Sequence, residues 1–154
     1  MFNIVLYEPE IPQNTGNIGR LCVGLDATLH LIEPLGFSLE DKYMKRAGLD
    51  YWKHLDLKVY KNYGDFLAKN NPSRIFFFSK KAEKVYWEAN FKKGDYLVFG
   101  KETLGLPEEI VFNPENRVYK IPMIGKTRSL NLSNSVAIVA YEAFRQVNQE
   151  LKIF

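Results

Sequence analysis

Three observations predict an α/β domain with a mostly parallel sheet flanked by helices. Short apolar runs alternate with segments of helical periodicity along the whole 154-residue chain. Residues 74–78, Arg-Ile-Phe-Phe-Phe, form a continuous apolar run suited to a central strand covered on both faces. The loops richest in Gly, Ser, Asn and Lys follow the carboxyl ends of the predicted strands, where open α/β sheets bind ligands.

Residues 2–8 read as the first strand, broken by the stretch from Pro9 to Pro12. Gln13-Asn14-Thr15-Gly16-Asn17-Ile18-Gly19-Arg20 leads into a helix, because Ile18, Leu21, Cys22 and Leu25 fall at i, i+3, i+4 and i+7. Gly16 and Gly19 permit a close backbone approach near its start. Arg20 lies off the apolar face and, on periodicity alone, reads first as a solvated surface arginine. Residues 28–32 make a second strand, closed by Glu33-Pro34.

A short basic helix with Lys42, Lys45 and Arg46 ends at Gly48, and Tyr51 and Trp52 follow. Cations beside exposed rings suit nucleic-acid contact. A solvated helix with both rings tucked into the core fits equally well. Residues 57–60 form a third strand and residues 63–69 a short helix. Lys80, Lys81 and Lys84 follow the strand at 74–78. Residues 95–99 form a buried strand entering Gly100-Lys101-Glu102-Thr103-Leu104-Gly105-Leu106-Pro107. Pro107 suits the first position of a helix, with Glu108 and Glu109 complementing its dipole. Residues 118–121 form the last strand.

The stretch 121–146 follows. Its loop carries Lys126 and Arg128, then Ser129, Asn131, Ser133, Asn134 and Ser135 within seven positions. One helix cap needs one such oxygen, so the surplus predicts a loop that presents donors and acceptors to a ligand. Leu132, Val136, Ile138, Val139, Ala140, Ala143, Phe144 and Val147 leave the helix behind it only a narrow polar side. Packing against both the sheet and a second copy explains that pattern, and an ordinary core helix is the alternative.

The composition bounds the function. At 46% hydrophobic, the chain can build one proper core, read as a single domain over residues 1–154. It has no run of 18 apolar residues. Its first residues lack the basic start and cleavage site of a signal peptide. A lone cysteine, Cys22, excludes an internal disulfide and fits a reducing cytoplasm. Two histidines and one cysteine cannot build a typical zinc site, so no metal is expected. His30 and His54 read as structural or solvent-facing. A formal charge of +3 permits an RNA partner without requiring one.

Several motifs fail. Gly125-Lys126-Thr127 resembles the tail of a P-loop, but position 120 is Lys where that motif needs glycine. There is neither a GxGxxG nor a Gly-x-Ser-x-Gly elbow. Ser129 has no histidine nearby in sequence to act as a base. The loop offers polar recognition rather than a covalent intermediate.

Three segments together carry a resemblance. They are Asn14-Thr15-Gly16-Asn17-Ile18-Gly19-Arg20, then Phe99-Gly100-Lys101-Glu102-Thr103-Leu104-Gly105-Leu106-Pro107, then Ile121-Pro122-Met123 through Ser129-Leu130-Asn131-Leu132-Ser133-Asn134. In this order they resemble the ribose 2′-O branch of the SPOUT superfamily of RNA methyltransferases. The opening Asn3-Ile4-Val5-Leu6-Tyr7-Glu8-Pro9-Glu10-Ile11-Pro12 and the segment Arg46-Ala47-Gly48-Leu49-Asp50-Tyr51 look like its small YibK-like tRNA (cytidine/uridine-34-2′-O)-methyltransferases. The likeness covers nearly the whole chain.

The resemblance implies an α/β fold with a C-terminal trefoil knot, at which periodicity gives no hint. It also implies a cytoplasmic homodimer, S-adenosylmethionine as cofactor, and tRNA as substrate. The ribose of wobble nucleotide 34 would be methylated, on cytidine or modified uridine, in leucine tRNAs. Carried over by position, Phe78, Gly100, Ile121, Ser129 and Leu130 would bind the cofactor. Glu102, Ser129 and Asn131 would shape the site around the methionine moiety and the ribose. Arg20 matches the arginine that activates the 2′-hydroxyl, and Tyr141 is a further candidate for the active centre. Lys42, Lys45, Arg46, Tyr51, Lys126 and Arg128 would contact RNA. An arginine stays charged in proteins, so stabilising an alkoxide and gripping a phosphate suits Arg20 better than simple general-base catalysis. A SPOUT enzyme with another RNA target, or a non-catalytic RNA-binding module on the same scaffold, would share most of these residues.

Overall fold

The structure is a computed structural model in which the backbone of residues 1–154 is described, with every side chain except those of Lys45, Gly48 and Leu49. Seven strands are β1 (Asn3–Tyr7), β2 (Thr28–Ile32), β3 (Leu57–Tyr60), β4 (Ile75–Phe78), β5 (Lys84–Val85), β6 (Tyr96–Phe99) and β7 (Arg117–Lys120). They form one sheet in the order β3-β2-β1-β6-β4-β7-β5, and each pairing is parallel. The helices are α1 (Pro12–Gly24), α2 (Lys42–Gly48), α3 (Tyr63–Asn70), α4 (Glu108–Val111) and α5 (Leu132–Leu151).

The two-residue period of the strands sorts the core into two layers. Ile4, Leu6, Leu29, Leu31, Phe76, Phe78, Leu97 and Phe99 face α1 and α5, meeting Ile18, Cys22, Val136, Val139, Ala140 and Ala143. Val5, Ile32, Phe77 and Val98 face the other way, onto Phe66, Ile110 and Val111 from α3 and α4. The apolar run at 75–78 is thus covered on both sides, as its sequence predicts.

Some boundaries differ from expectation for local reasons. The last strand ends at Lys120, so Ile121 leaves the ladder and turns toward a cavity. Pro107 is the cap of α4 rather than its first residue, with extended ψ at 145°. The two-residue β5 was not expected, since Lys84 carries no strand pattern. It pairs only with β7, at the sheet edge. A 3-10 helix at Leu49–His54 continues α2. A Cβ on Gly16 would lie 2.2 Å from the carbonyl oxygen of Met44, so its absence lets α1 and α2 touch backbone to backbone.

His30 is a core residue, as its strand position suggests. It is 1% exposed. Its Nε2 lies 2.9 Å from Asn3 Oδ1 and its Nδ1 2.8 Å from the Tyr60 hydroxyl. The Asn3 oxygen can only accept, so Nε2 carries the proton and Nδ1 accepts from tyrosine. Burial, helped by the nearby Lys58 charge, lowers its pKa to about 4. The unfolded histidine titrates near 6.5. Below that pH the unfolded chain takes up a proton that the folded chain refuses. The His30 contribution to stability should therefore be constant above pH 6.5 and fall progressively toward pH 4, by about 3 kcal/mol. Urea midpoints across that range should show the decline, and His30→Gln should make it shallower, leaving the part that carboxyls such as Glu10 contribute. An unchanged slope in the variant would assign the decline elsewhere.

Candidate active site

A cavity of about 490 Å³ opens at the carboxyl ends of β4, β6 and β7. That volume suits a small-molecule ligand. Phe78 and Phe99, stacked at 4.9 Å with planes 18° apart, build its apolar wall. All five residues assigned to the cofactor, Phe78, Gly100, Ile121, Ser129 and Leu130, line it, and so do Glu102 and Asn131. The loops after three strands thus converge, although the named residues run from Phe78 to Asn131 in sequence.

The loop after β6 folds back on itself. Lys101 and Gly105 form an antiparallel bridge, with the Gly105 N–H donating to the Lys101 carbonyl at 2.9 Å. Gly105 turns at φ +69°. A Cβ on Gly100 would fall 2.2 Å from the Gly105 carbonyl carbon. The missing side chain therefore closes the loop first, and only through that closure shapes the cavity wall.

Straps tie this loop to the segment entering α1. Glu102 accepts from the Glu10 N–H at 2.8 Å on one oxygen, and from Ile11 N–H at 2.8 Å and Asn14 Nδ2 at 3.2 Å on the other. Ile11 cannot cap α1 with its own side chain, so Glu102 supplies a carboxylate to that helix start from 91 residues away. Glu10 answers in the opposite direction. It accepts from Thr103 N and Oγ1 at 3.0 and 2.7 Å, bonds that hold its carboxyl below the usual range. Lys101 pairs with Glu8 at 3.1 Å.

Asn131 joins the same network. Its Nδ2 donates to Asn14 Oδ1 at 3.1 Å, while its Oδ1 accepts from Ser133 N at 2.9 Å as the cap of α5. The surplus of polar residues was expected to face a ligand, and this is corrected in part. Ser133, Asn134 and Ser135 belong to the first turn of α5, and the Ser133 and Ser135 hydroxyls bond back to Asn131. Ser135 still lines the cavity. The reason is geometric, since short hydroxyls in a first turn reach the cap residue more readily than a distant ligand.

The remaining assigned residues sit elsewhere. Arg20 is exposed on α1, with its guanidinium 5.0 Å over the Tyr51 ring, and it does not line the cavity. Tyr141 is exposed on α5 against Phe144, also outside the cavity. Lys126 and Arg128 are exposed on the loop whose Met123 and Ser129 form the cavity rim. Lys42 and Arg46 are exposed on α2, and the side chain of Lys45 lies outside the described residues. The two aromatic residues after α2 divide the alternatives between them. Trp52 is half-buried against Gly19, and Tyr51 is exposed.

Sequence reasoning gave no cofactor or catalytic role to Asn14, Lys80, Lys81 and Thr103, which also line the cavity. Their signal was position: Asn14 opens a motif segment, and the two lysines directly follow the end of a central strand.

A model of the SpoU rRNA Methylase family matches residues 1–141. The chain belongs to this family. Among its SpoU relatives, the tRNA (cytidine(34)-2′-O)-methyltransferase of Methylovorus glucosotrophus (strain SIP3-4) is 53% identical over 148 residues, 95% of this chain and 96% of its own. The Escherichia coli (strain K12) enzyme of the same name is 48% identical, over 96% of this chain and 94% of its own. A solved structure described as structural insights into the 2-OH methylation of C/U34 on tRNA superposes with a TM-score of 0.90. It is 50% identical and covers 95% of each chain. The parallel seven-stranded sheet is accordingly the SpoU fold.

Proposed function

We propose that this SpoU family member methylates the ribose 2′-oxygen of tRNA nucleotide 34, using S-adenosylmethionine, on cytidine or modified uridine of leucine tRNAs. One observation carries the reading. The five residues assigned to the cofactor line a single cavity, together with Glu102 and Asn131. The residues present suit that cofactor: Phe78, Ile121 and Leu130 offer apolar surface to an adenine, and Ser129 and Asn131 offer polar atoms at the rim. S-adenosylmethionine, when bound, supplies a methyl carbon already activated by its sulfonium.

The chain's own residues then have two tasks. The first is alignment, which can lower a barrier by roughly 7–11 kcal/mol when reacting groups are held in near-attack geometry. The straps among Glu10, Glu102, Thr103, Asn14 and Asn131 give the cavity the rigidity this needs. The second is handling the hydroxyl proton. Arg20, a charged planar fork, stabilises the developing alkoxide and grips the adjoining phosphate, which assists in taking up the proton. The exposed cations Lys42, Arg46, Lys126 and Arg128 extend the surface toward RNA.

A homodimer completes the reading. Tyr141, Leu151 and Phe154 are 51, 50 and 93% exposed, an apolar strip that a second copy would cover. The C-terminal trefoil knot belongs to the proposal too. No helix is long and apolar enough to cross a membrane among the described residues. A tRNA substrate supports a cytoplasmic location.

Radiolabelled methyl transfer to total RNA, followed by mapping of the modified ribose, tests the proposal. Label at position 34 of tRNA is the expected result. Label confined to ribosomal RNA would give the same scaffold another target. Arg20→Lys should lower kcat about a hundredfold, since an ammonium lacks the planar fork. Near-full turnover by that variant would remove Arg20 from the chemistry.

A further inference from the structure

Arg20 follows Gly19 on α1, and the surroundings of that pair are built rather than open. A Cβ on Gly19 would meet the Trp52 ring at 2.7 Å, so the bare backbone there is the seat of the indole. The Leu55 N–H donates to the Trp52 carbonyl at 3.1 Å at the end of the 3-10 helix of Leu49–His54. Tyr51 directly precedes Trp52. Its ring, 43% exposed, lies beneath the Arg20 guanidinium, with Cζ 5.0 Å from the ring centroid. That distance is within the range of cation–π attraction. A long arginine on an exposed helix face would otherwise sample many rotamers, and ordering it at the moment of reaction would cost entropy.

We infer that Tyr51 is a positioning residue for methyl transfer, one that orients the Arg20 guanidinium through its ring face rather than stacking on a base of the RNA. The inference rests on the role proposed above for Arg20. It makes the phenolic hydroxyl dispensable and the electron density of the ring essential. It also separates the two rings after α2: Trp52 anchors the turn to α1, and Tyr51 presents the face.

The test measures kcat and KM for tRNA at saturating S-adenosylmethionine. Tyr51→Phe should keep kcat within about twofold, while Tyr51→Leu should lower kcat roughly three- to tenfold with KM nearly unchanged. Mono-, di- and trifluorinated phenylalanines at position 51 keep the ring's shape while draining its quadrupole, so log kcat should fall with each fluorine. These isosteres decide the matter even if the leucine variant folds poorly. Equal kcat across the fluorinated series would overturn the inference, and so would a leucine variant that raises only KM, which would mark Tyr51 as a base-stacking contact. Arg20→Ala is measured in parallel. If it is as active as the parent chain, the reading of Arg20 itself falls. If it is inactive while fluorination has no effect, only the role of Tyr51 falls.

Discussion

Replacing Glu102 by alanine should lower kcat/KM at least a hundredfold and cost the fold about 3 kcal/mol. One carboxylate serves two backbone N–H groups and the Asn14 amide, at 2.8, 2.8 and 3.2 Å. Hydrogen bonds to a charged acceptor contribute about 1.5–3 kcal/mol each, but donors freed near a rim recover part of that from water. The larger loss is positional. Without the strap, Asn14 loses its fixed amide and Asn131 its partner, so two sides of the cavity drift apart. Urea denaturation and steady-state turnover measure the two effects separately. Glu102→Gln sharpens the result, because its amide nitrogen would face an N–H donor at one of the two oxygen positions. Activity within threefold of the parent in both variants would show that the strap does not set the cavity's geometry.

The second large effect is expected at Gly100. An alanine methyl would sit 2.2 Å from the Gly105 carbonyl carbon and 2.4 Å from the Leu106 nitrogen, both backbone atoms that cannot swing aside. Overpacking of this kind costs about 1–3 kcal/mol. Here the backbone that yields is the cavity wall, so S-adenosylmethionine affinity should fall more than tenfold by calorimetry. Gly125→Ala is the control, since nothing lies within 4 Å of the added carbon. Equal affinities in the two variants would detach the 100–105 loop from ligand binding.

Much of this was legible in the chain. The strands announced themselves because parallel, doubly covered strands are written as apolar runs, and 75–78 is the plainest case. The family motifs marked Gly100, Glu102, Ser129 and Asn131, which the fold gathers into one site. What stayed hidden depends on through-space pairing. No pattern tells that Glu102 caps a helix begun 91 residues earlier, or that Asn14 stands between Glu102 and Asn131. The reading of five Ser and Asn residues as ligand-facing erred in part because the first-turn hydroxyls of Ser133 and Ser135 bond to Asn131 beside them. Tyr51 and Trp52 could not be separated by sequence, since the choice between them is made by a glycine on another helix.

The central place of β1 has a consequence for how the protein is made. Its neighbours are β2 on one side and β6 on the other, and β6 leaves the ribosome about ninety residues after it. At about 5–20 residues per second, the second edge of the nascent strand waits roughly 5–20 seconds for its partner. During that interval the bare ladder is open to pairing with other chains. The emerging polypeptide is therefore most in need of a chaperone before its binding cavity exists at all.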